Sequence, residues 1–293
     1  MPIITIFTAT GTQGEMYAHR EDQLVVNNLL SGSSVLEAVL ADGKYTPRAV
    51  TRNVDSAACK ALIARGVEVV SGNLWDKESV KKALRGSEAV FGNVNYWDPE
   101  VRNSTDPQGK GEIVQGKNLV DAAKEEGVKV FIWSSVDSIP VYKTVIEEYL
   151  KESGVPYTLN SLEKTETGDY VIPIPKFGPE DTQSSTWVAH DLGQAAVALL
   201  NNYTNPNKAV LGKVYPVITM KFKYPEFAAA IATVFSNLKS LLLLTSRAMQ
   251  FSFQTKIGLY RHTPFPNPDL VALGVKFGTM EEFIQAEVVP RFK

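Results

Sequence analysis

Ile3-Ile4-Thr5-Ile6-Phe7-Thr8-Ala9-Thr10-Gly11-Thr12-Gln13-Gly14 is the stretch from which the fold is read. Ile3–Thr8 is a β-branched, apolar run with no alternation of polar residues, the pattern of a strand buried on both faces. It ends in a loop carrying two glycines. Glycine lets the backbone come close to an anionic group, and a helix starting after such a loop offers free N–H groups and a positive dipole end. After a first strand, this pairing predicts a phosphate-cradling loop rather than a plain strand-to-helix turn.

The residues that follow repeat the theme. Strands are expected at Arg48–Thr51, Val67–Ser71, Ala89–Gly92, Val128–Trp133 and Val155–Leu159. Helices are expected at Ala57–Arg65, Lys77–Leu84, Gly111–Glu126 and Thr144–Glu152. Three of these strands follow a Gly-Val pair (Gly66-Val67, Gly127-Val128, Gly154-Val155), which reads as a helix C-cap leading into a strand. Alternating strands and helices imply a parallel sheet with helices on both faces. The fold class is therefore α/β, a Rossmann-type doubly wound sheet. From about Asp169 the pattern turns irregular and Pro-rich, the mark of a smaller α+β C-terminal lobe. The expected division is a nucleotide-binding unit over 1–165 and a substrate- or partner-side lobe over 166–293, interleaved with it.

Composition narrows the function classes. The 293 residues are 44% hydrophobic and 21% charged, ordinary for a globular chain. A net charge of −2 supplies no global field for nucleic acid, so direct nucleic-acid binding is not expected. Cys59, the sole cysteine, excludes an internal disulfide and reads as a small core residue. The apolar run at Leu241–Leu244 is too short to span a bilayer, and no signal-peptide pattern is present. A cytoplasmic or nuclear protein without a membrane partner is the expectation.

Arg52 stands directly after the second strand. In a Rossmann sheet this is where the adenine ribose lies. An acid there binds the 2′-hydroxyl, whereas an arginine accommodates a 2′-phosphate. Thr51-Arg52-Asn53 thus favours NADP over NAD, the alternative being a solvated strand-end arginine.

Together these segments resemble the NmrA-like family of fungal type, an atypical branch of the short-chain dehydrogenase/reductases. The resemblance is carried by Ala9–Gly14, Asp42-Gly43-Lys44-Tyr45, Arg48–Asn53, Gly66–Leu74, Ala89–Gly92 and Tyr96-Trp97-Asp98-Pro99-Glu100. It continues through Gln115–Ala123, Phe131-Ile132-Trp133-Ser134-Ser135, Glu147–Leu150 and Pro266–Phe277. Family members bind NAD(P), and many regulate rather than turn over; some fungal members restrain GATA-type transcription factors. The resemblance implies that Ala9, Thr10, Gly11, Thr12, Gln13 and Gly14 cradle the pyrophosphate. Arg52 and Asn53 would meet the adenosine end, and Asn73 and Leu74 would flank adenine. Val94, Asn95 and Tyr96 would lie under the middle of the cofactor, and Lys143 would approach the nicotinamide ribose.

The chain also departs from that pattern. Thr8 replaces the first motif glycine, and a β-branched residue tolerates positive φ poorly, so a negative φ is expected there. The superfamily's catalytic tyrosine stands four residues before its lysine, which lowers the phenol's pKa for proton exchange. Ile139 occupies that place before Lys143, and no Tyr-x-x-x-Lys pair occurs anywhere in the chain. Tyr142 is adjacent to Lys143, so on a helix it would point about 100° away and reads as a packing aromatic. Val114 stands where a basic residue is expected three positions before Lys117, and Leu159–Thr165 reads as a shortened cleft wall.

The largest departure is Glu15–Gly32. The family continues from its glycine straight into the first helix, a continuation found here only from Ser33. An acid at the start of an inserted helix over Glu15–Leu30 would compete with phosphate for the same N–H groups. The codons permitted for Gly14-Glu15 and Ser31-Gly32 allow splice-like strings, so a retained intron and a lineage-specific insertion both account for the segment.

His19, His190 and His262 lack partners at metal-ligand spacing, and no Gly-x-Ser-x-Gly elbow occurs. Asp191 reads as the N-cap of a helix in the second half. Lys221, Lys223, Lys239 and Arg247 read as solvated residues or as part of a partner surface. Three functions follow: a redox-sensing NADP(H)-binding regulator with a protein partner such as a transcription factor; an NADPH-dependent reductase of a small carbonyl or enone using Lys143; and a cofactor-impaired product of the retained intron.

Overall fold

The computed structural model describes residues 1–10, 31–94, 110–135, 149, 152–153, 157–161, 182–234 and 263–291. Its centre is a parallel sheet built from β1 (Ile3–Ile6), β2 (Thr46–Thr51), β3 (Glu68–Ser71), β4 (Ser87–Gly92), β5 (Val130–Ser135), β6 (Tyr157–Ser161) and β8 (Val214–Pro216). The strands lie in the order β3-β2-β1-β4-β5-β6-β8. β7 (Thr182–Ser185) pairs antiparallel with β9 (Met220–Lys223) in a separate ribbon.

Successive residues of each central strand feed opposite faces, as the period of two requires. Ile4, Ile6, Ala89, Phe91, Val130 and Ile132 enter one core with α1 (Ser31–Asp42) and α5 (Gly193–Asn202). Phe7, Val50, Val90, Phe131 and Trp133 enter the other with α3 (Lys77–Leu84) and α4 (Lys110–Glu125). Covered faces explain why these strands read as continuous apolar runs.

The Gly-Val pattern works as helix termination. Gly66 has φ 83° and Val67 N donates to Leu62 O at 3.1 Å, closing α2 (Ala57–Ala64). Gly127 has φ 68° and Val128 N donates to Ala123 O at 3.0 Å, closing α4. Both valines therefore belong to the cap, and their strands begin one or two residues later than expected. Gly274-Val275 repeats the arrangement after the short helix Pro268–Ala272, with φ 94° and a 3.0 Å bond to Leu270 O. Gly154-Val155 lies outside the described residues.

Leu159, Asn160 and Ser161 complete β6, held between Trp133–Ser135 of β5 and Val214–Pro216 of β8, while residues 162–165 of the expected cleft wall lie outside the described residues. One expectation is corrected. Asp191 does not cap a helix. It sits inside a π-helical turn, Val188–Leu192, and its carboxylate serves other segments. The helix expected over Thr144–Glu152 falls outside the described residues except for Tyr149 and Glu152, both helical. Cys59 is buried in α2, its thiol donating to Asn53 O at 3.2 Å.

Candidate functional site

β1 and β4 are neighbours, but the chain leaves them in opposite directions, toward β2 and toward β5. This is the topological switch point, where doubly wound sheets open a crevice beyond the carboxyl ends of their strands. The site is built from what those strand ends carry.

At the end of β1, Phe7 N still donates to Phe91 O at 3.1 Å, and the chain then turns at Thr8 with φ 58°. The negative φ expected for a threonine is thus overturned. The left-handed turn that a glycine adopts freely is imposed here on a β-branched residue. Its hydroxyl accepts a 3.3 Å bond from Asn93 Nδ2, just past β4, which holds the side chain across the crevice. Ala9 is buried beneath the helix that follows.

That helix is α1, and it starts at Ser31, two residues before the continuation read from sequence. Gly32 is the reason. A Cβ there would stand 2.2 Å from Phe7 O and 2.8 Å from Ala9 N, so only glycine allows the first turn of α1 to rest on the backbone of residues 7–9. This is the close helix–strand packing that the last glycine of a dinucleotide loop provides. Sequence reading placed Gly14, the nearer glycine along the chain, in the pyrophosphate loop and gave Gly32 no role in the site. Gly11, Thr12, Gln13, Gly14 and residues 15–30 lie outside the described residues, as do Asn95, Tyr96 and Lys143.

Arg52 and Asn53 follow β2 and are exposed. Asn53 organises the turn: its N–H donates to Thr51 Oγ1 at 3.2 Å and its Oδ1 accepts from Asp55 N at 3.1 Å. Ser56 then caps α2, accepting from Cys59 N. Arg48, four residues earlier, is spent inside the protein. It donates to Ala83 O at 3.0 Å and Arg85 O at 2.8 Å, and pairs with Glu68 at 2.9 Å. Of the two arginines in this segment, Arg52 is the one presented at the strand ends.

Asn73 and Leu74 follow β3. Asn73 Oδ1 accepts from Trp75 N at 3.1 Å, Leu74 O accepts from Asn118 Nδ2 at 2.9 Å, and Leu74 leans on the second core. Asp76 next caps α3 through Glu78 N and Ser79 N. Val94, after β4, is buried in that same core rather than presented at a surface. The described candidates Ala9, Thr10, Arg52, Asn53, Asn73, Leu74 and Val94 thus gather along one edge of the sheet. Sequence reading missed Asn93, whose signal is a polar residue directly behind an apolar strand, and Gly32, which it placed in the insertion. Among the described residues no group of three His, Cys, Asp or Glu is placed to hold a metal, and no helix is long and apolar enough to cross a membrane.

Strand order, covered faces and a glycine-seated first helix define a Rossmann-type α/β protein. Residues 30–165, a little under half of the chain, match the model of the NmrA-like family. The chain is 26% identical over 275 residues to the NmrA-like family domain-containing oxidoreductase NotA of Aspergillus sp. (strain MF297-2), an alignment covering 81% of this chain and 74% of that protein. Two further fungal oxidoreductases of the family, CpsB of Aspergillus campestris and FrzB of Cladobotryum sp., are matched over only 35% and 30% of their own length. Among solved structures, NmrA, a negative transcriptional regulator in complex with NADP, superposes with a TM-score of 0.68 at 18% identity, covering 99% of this chain and 96% of that one. The NADPH-dependent quinone oxidoreductase QOR2 of Escherichia coli, complexed with NADPH, gives 0.66 at 18% identity over 97% and 99%. At such identity the likeness is one of fold.

Proposed function

We propose that the protein binds NADP(H) across the strand ends β3-β2-β1-β4 and acts as a redox-sensing regulator, without the Tyr-Lys chemistry of the dehydrogenases. The observation that carries this reading is the row of Asn73, Arg52, Thr8 and Asn93 at successive strand ends, with the first turn of α1 seated on the loop after β1. The residues suit the cofactor in order. Asn73 and Leu74 lie where adenine would rest, and Arg52 where a 2′-phosphate would be met, with Asn53 beside it. Ala9–Gly14 and the start of α1 would take the pyrophosphate. Val94, Asn95 and Tyr96 would underlie the middle, and Lys143 would reach the nicotinamide ribose. When bound, the nicotinamide supplies hydride exchange; the chain supplies placement. The 166–293 portion would present the protein partner, a transcription factor being the class suggested by the regulator of the same fold.

A second reading is an NADPH-dependent reductase of a small carbonyl or enone with Lys143 as acid/base. The oxidoreductase names of the curated relatives favour it. Two measurements test the proposal. Arg52→Ala should erase the preference for NADPH over NADH, a loss of about tenfold or more for NADPH; an unchanged preference would remove Arg52 from the site. Incubating protein and NADPH with a panel of quinones and enones should leave the cofactor absorbance constant, and steady oxidation would establish the second reading.

A further inference from the structure

Asp191 is fully buried, at 0% exposure, yet carries a carboxylate. Such a group is costly inside a protein unless several donors meet it. Here they come from separate parts of the chain. Gly278 N donates to Oδ1 at 2.9 Å, the Thr219 hydroxyl donates to Oδ2, and His190 Nδ1 lies 2.6 Å from Oδ1. Thr219 Oγ1 also accepts from Trp187 N at 2.5 Å. Gly278 is pressed against the Trp187 ring, where a Cβ would stand 2.5 Å away, and Trp187 Nε1 donates to Glu287 at 3.0 Å. The turn Val188–Leu192 is therefore locked by the loop before β9 and by the C-terminal segment.

The same turn is fastened to α1. Ser34, in the first turn of that helix, donates its hydroxyl to Val188 O at 2.6 Å and accepts from Gly193 N at 3.1 Å. Gly193 fits because it has no side chain: a Cβ would lie 2.3 Å from Ser34 O and 2.7 Å from Ala38 Cβ. Two residues before Ser34, Gly32 rests on the backbone of residues 7–9. The path runs from Thr219 and Gly278 through Asp191 to the π-helical turn, then through Ser34 to the helix end at the crevice. π-helical turns are rare and occur mostly at functional sites, and this one is tied from outside at Val188 and Asp191.

We infer that Asp191 and Ser34 are positioning residues for the dinucleotide site, with Asp191 holding the turn and the turn holding the first turn of α1 where a pyrophosphate is met. The inference rests on the cofactor reading above. Neither residue is placed to touch the cofactor. Ser34 is 2% exposed with its hydroxyl engaged on both sides, and Asp191 has no exposed surface. Both act through the placement of α1.

The test separates the two ends of the cofactor. Full-length wild type, Ser34→Ala and Asp191→Asn are titrated calorimetrically with NADPH and with adenosine 2′-monophosphate, which has the adenosine end but no pyrophosphate. Circular dichroism and thermal melting confirm the fold of each. Both variants should lose about tenfold or more in NADPH affinity, since small misplacement of a site is expensive. Their affinity for adenosine 2′-monophosphate should stay within about twofold of wild type, because the ends of β2 and β3 are remote from the change. A folded variant with unchanged NADPH affinity overturns the inference, and so does an equal loss for both ligands, which would be a general loosening of the fold. Should Asp191→Asn fail to fold, Ser34→Ala decides, since it deletes a single oxygen. Wild type that binds neither ligand overturns the cofactor reading itself and this inference with it.

Discussion

Thr8 concentrates the tension of the site in one residue. A left-handed backbone at a non-glycine residue costs about 1–2 kcal/mol, offset in part by the bond from Asn93. Thr8→Gly removes the steric cost but adds unfolded-chain entropy, so it should raise stability by roughly 0.5–1 kcal/mol in a denaturant titration. A fall in stability would show that the hydroxyl bridge to Asn93 outweighs the backbone cost. Gly32 makes the opposite demand. Gly32→Ala would drive a methyl into the Phe7 carbonyl, and should cost about 1–3 kcal/mol in the same titration; a neutral outcome would mean that α1 does not rest on the loop as described. Neither feature was legible from sequence. Thr8 and Asn93 are neighbours only because β1 pairs with β4, and Gly32 was hidden behind a nearer glycine that matched the loop pattern.

Elements were far more legible than residues. The Gly-Val pairs announce where helices stop because a left-handed glycine and the following N–H close the last turn within a few residues of chain. Strand character at β1, β4 and β5 could be read because both faces are covered, leaving unbroken apolar runs. The extension of β6 to Ser161 could not, since Asn160 and Ser161 are held by backbone pairing with β8, more than fifty residues on. Contacts between elements bring one pH prediction. Glu125 at the end of α4 accepts hydrogen bonds from Lys77 and Lys81 of α3, which lowers its pKa from the usual carboxylate range to about 2. A carboxylate depressed in the folded state stabilises above its unfolded pKa and loses that contribution as pH falls toward 2. The α3–α4 contact should therefore weaken between about pH 4.5 and 2, and high salt should reduce the effect. Comparing wild type with Glu125→Gln in acid melts checks this: the two should differ at pH 6 in low salt and converge at pH 2.

At the scale of the whole molecule, the doubly wound sheet followed from the alternation of strands and helices, which depends on local sequence alone. The ties between its two halves did not. Asp191 gathers Thr219 and Gly278 from 28 and 87 residues away, and Ser34 meets Gly193 across 159 residues. No local pattern encodes such meetings, which is why Asp191 read as a helix cap. The consequence is that the second half of the chain is part of the apparatus that places α1, and the crevice between β1 and β4 depends on it. This crevice, with Arg52 at its adenosine end, is proposed to hold NADP(H). Calorimetric titration of the full chain with NADPH and NADH tests it most directly. NADPH should bind with submicromolar affinity, at least about tenfold tighter than NADH. No heat with either cofactor, or a preference for NADH, would contradict it.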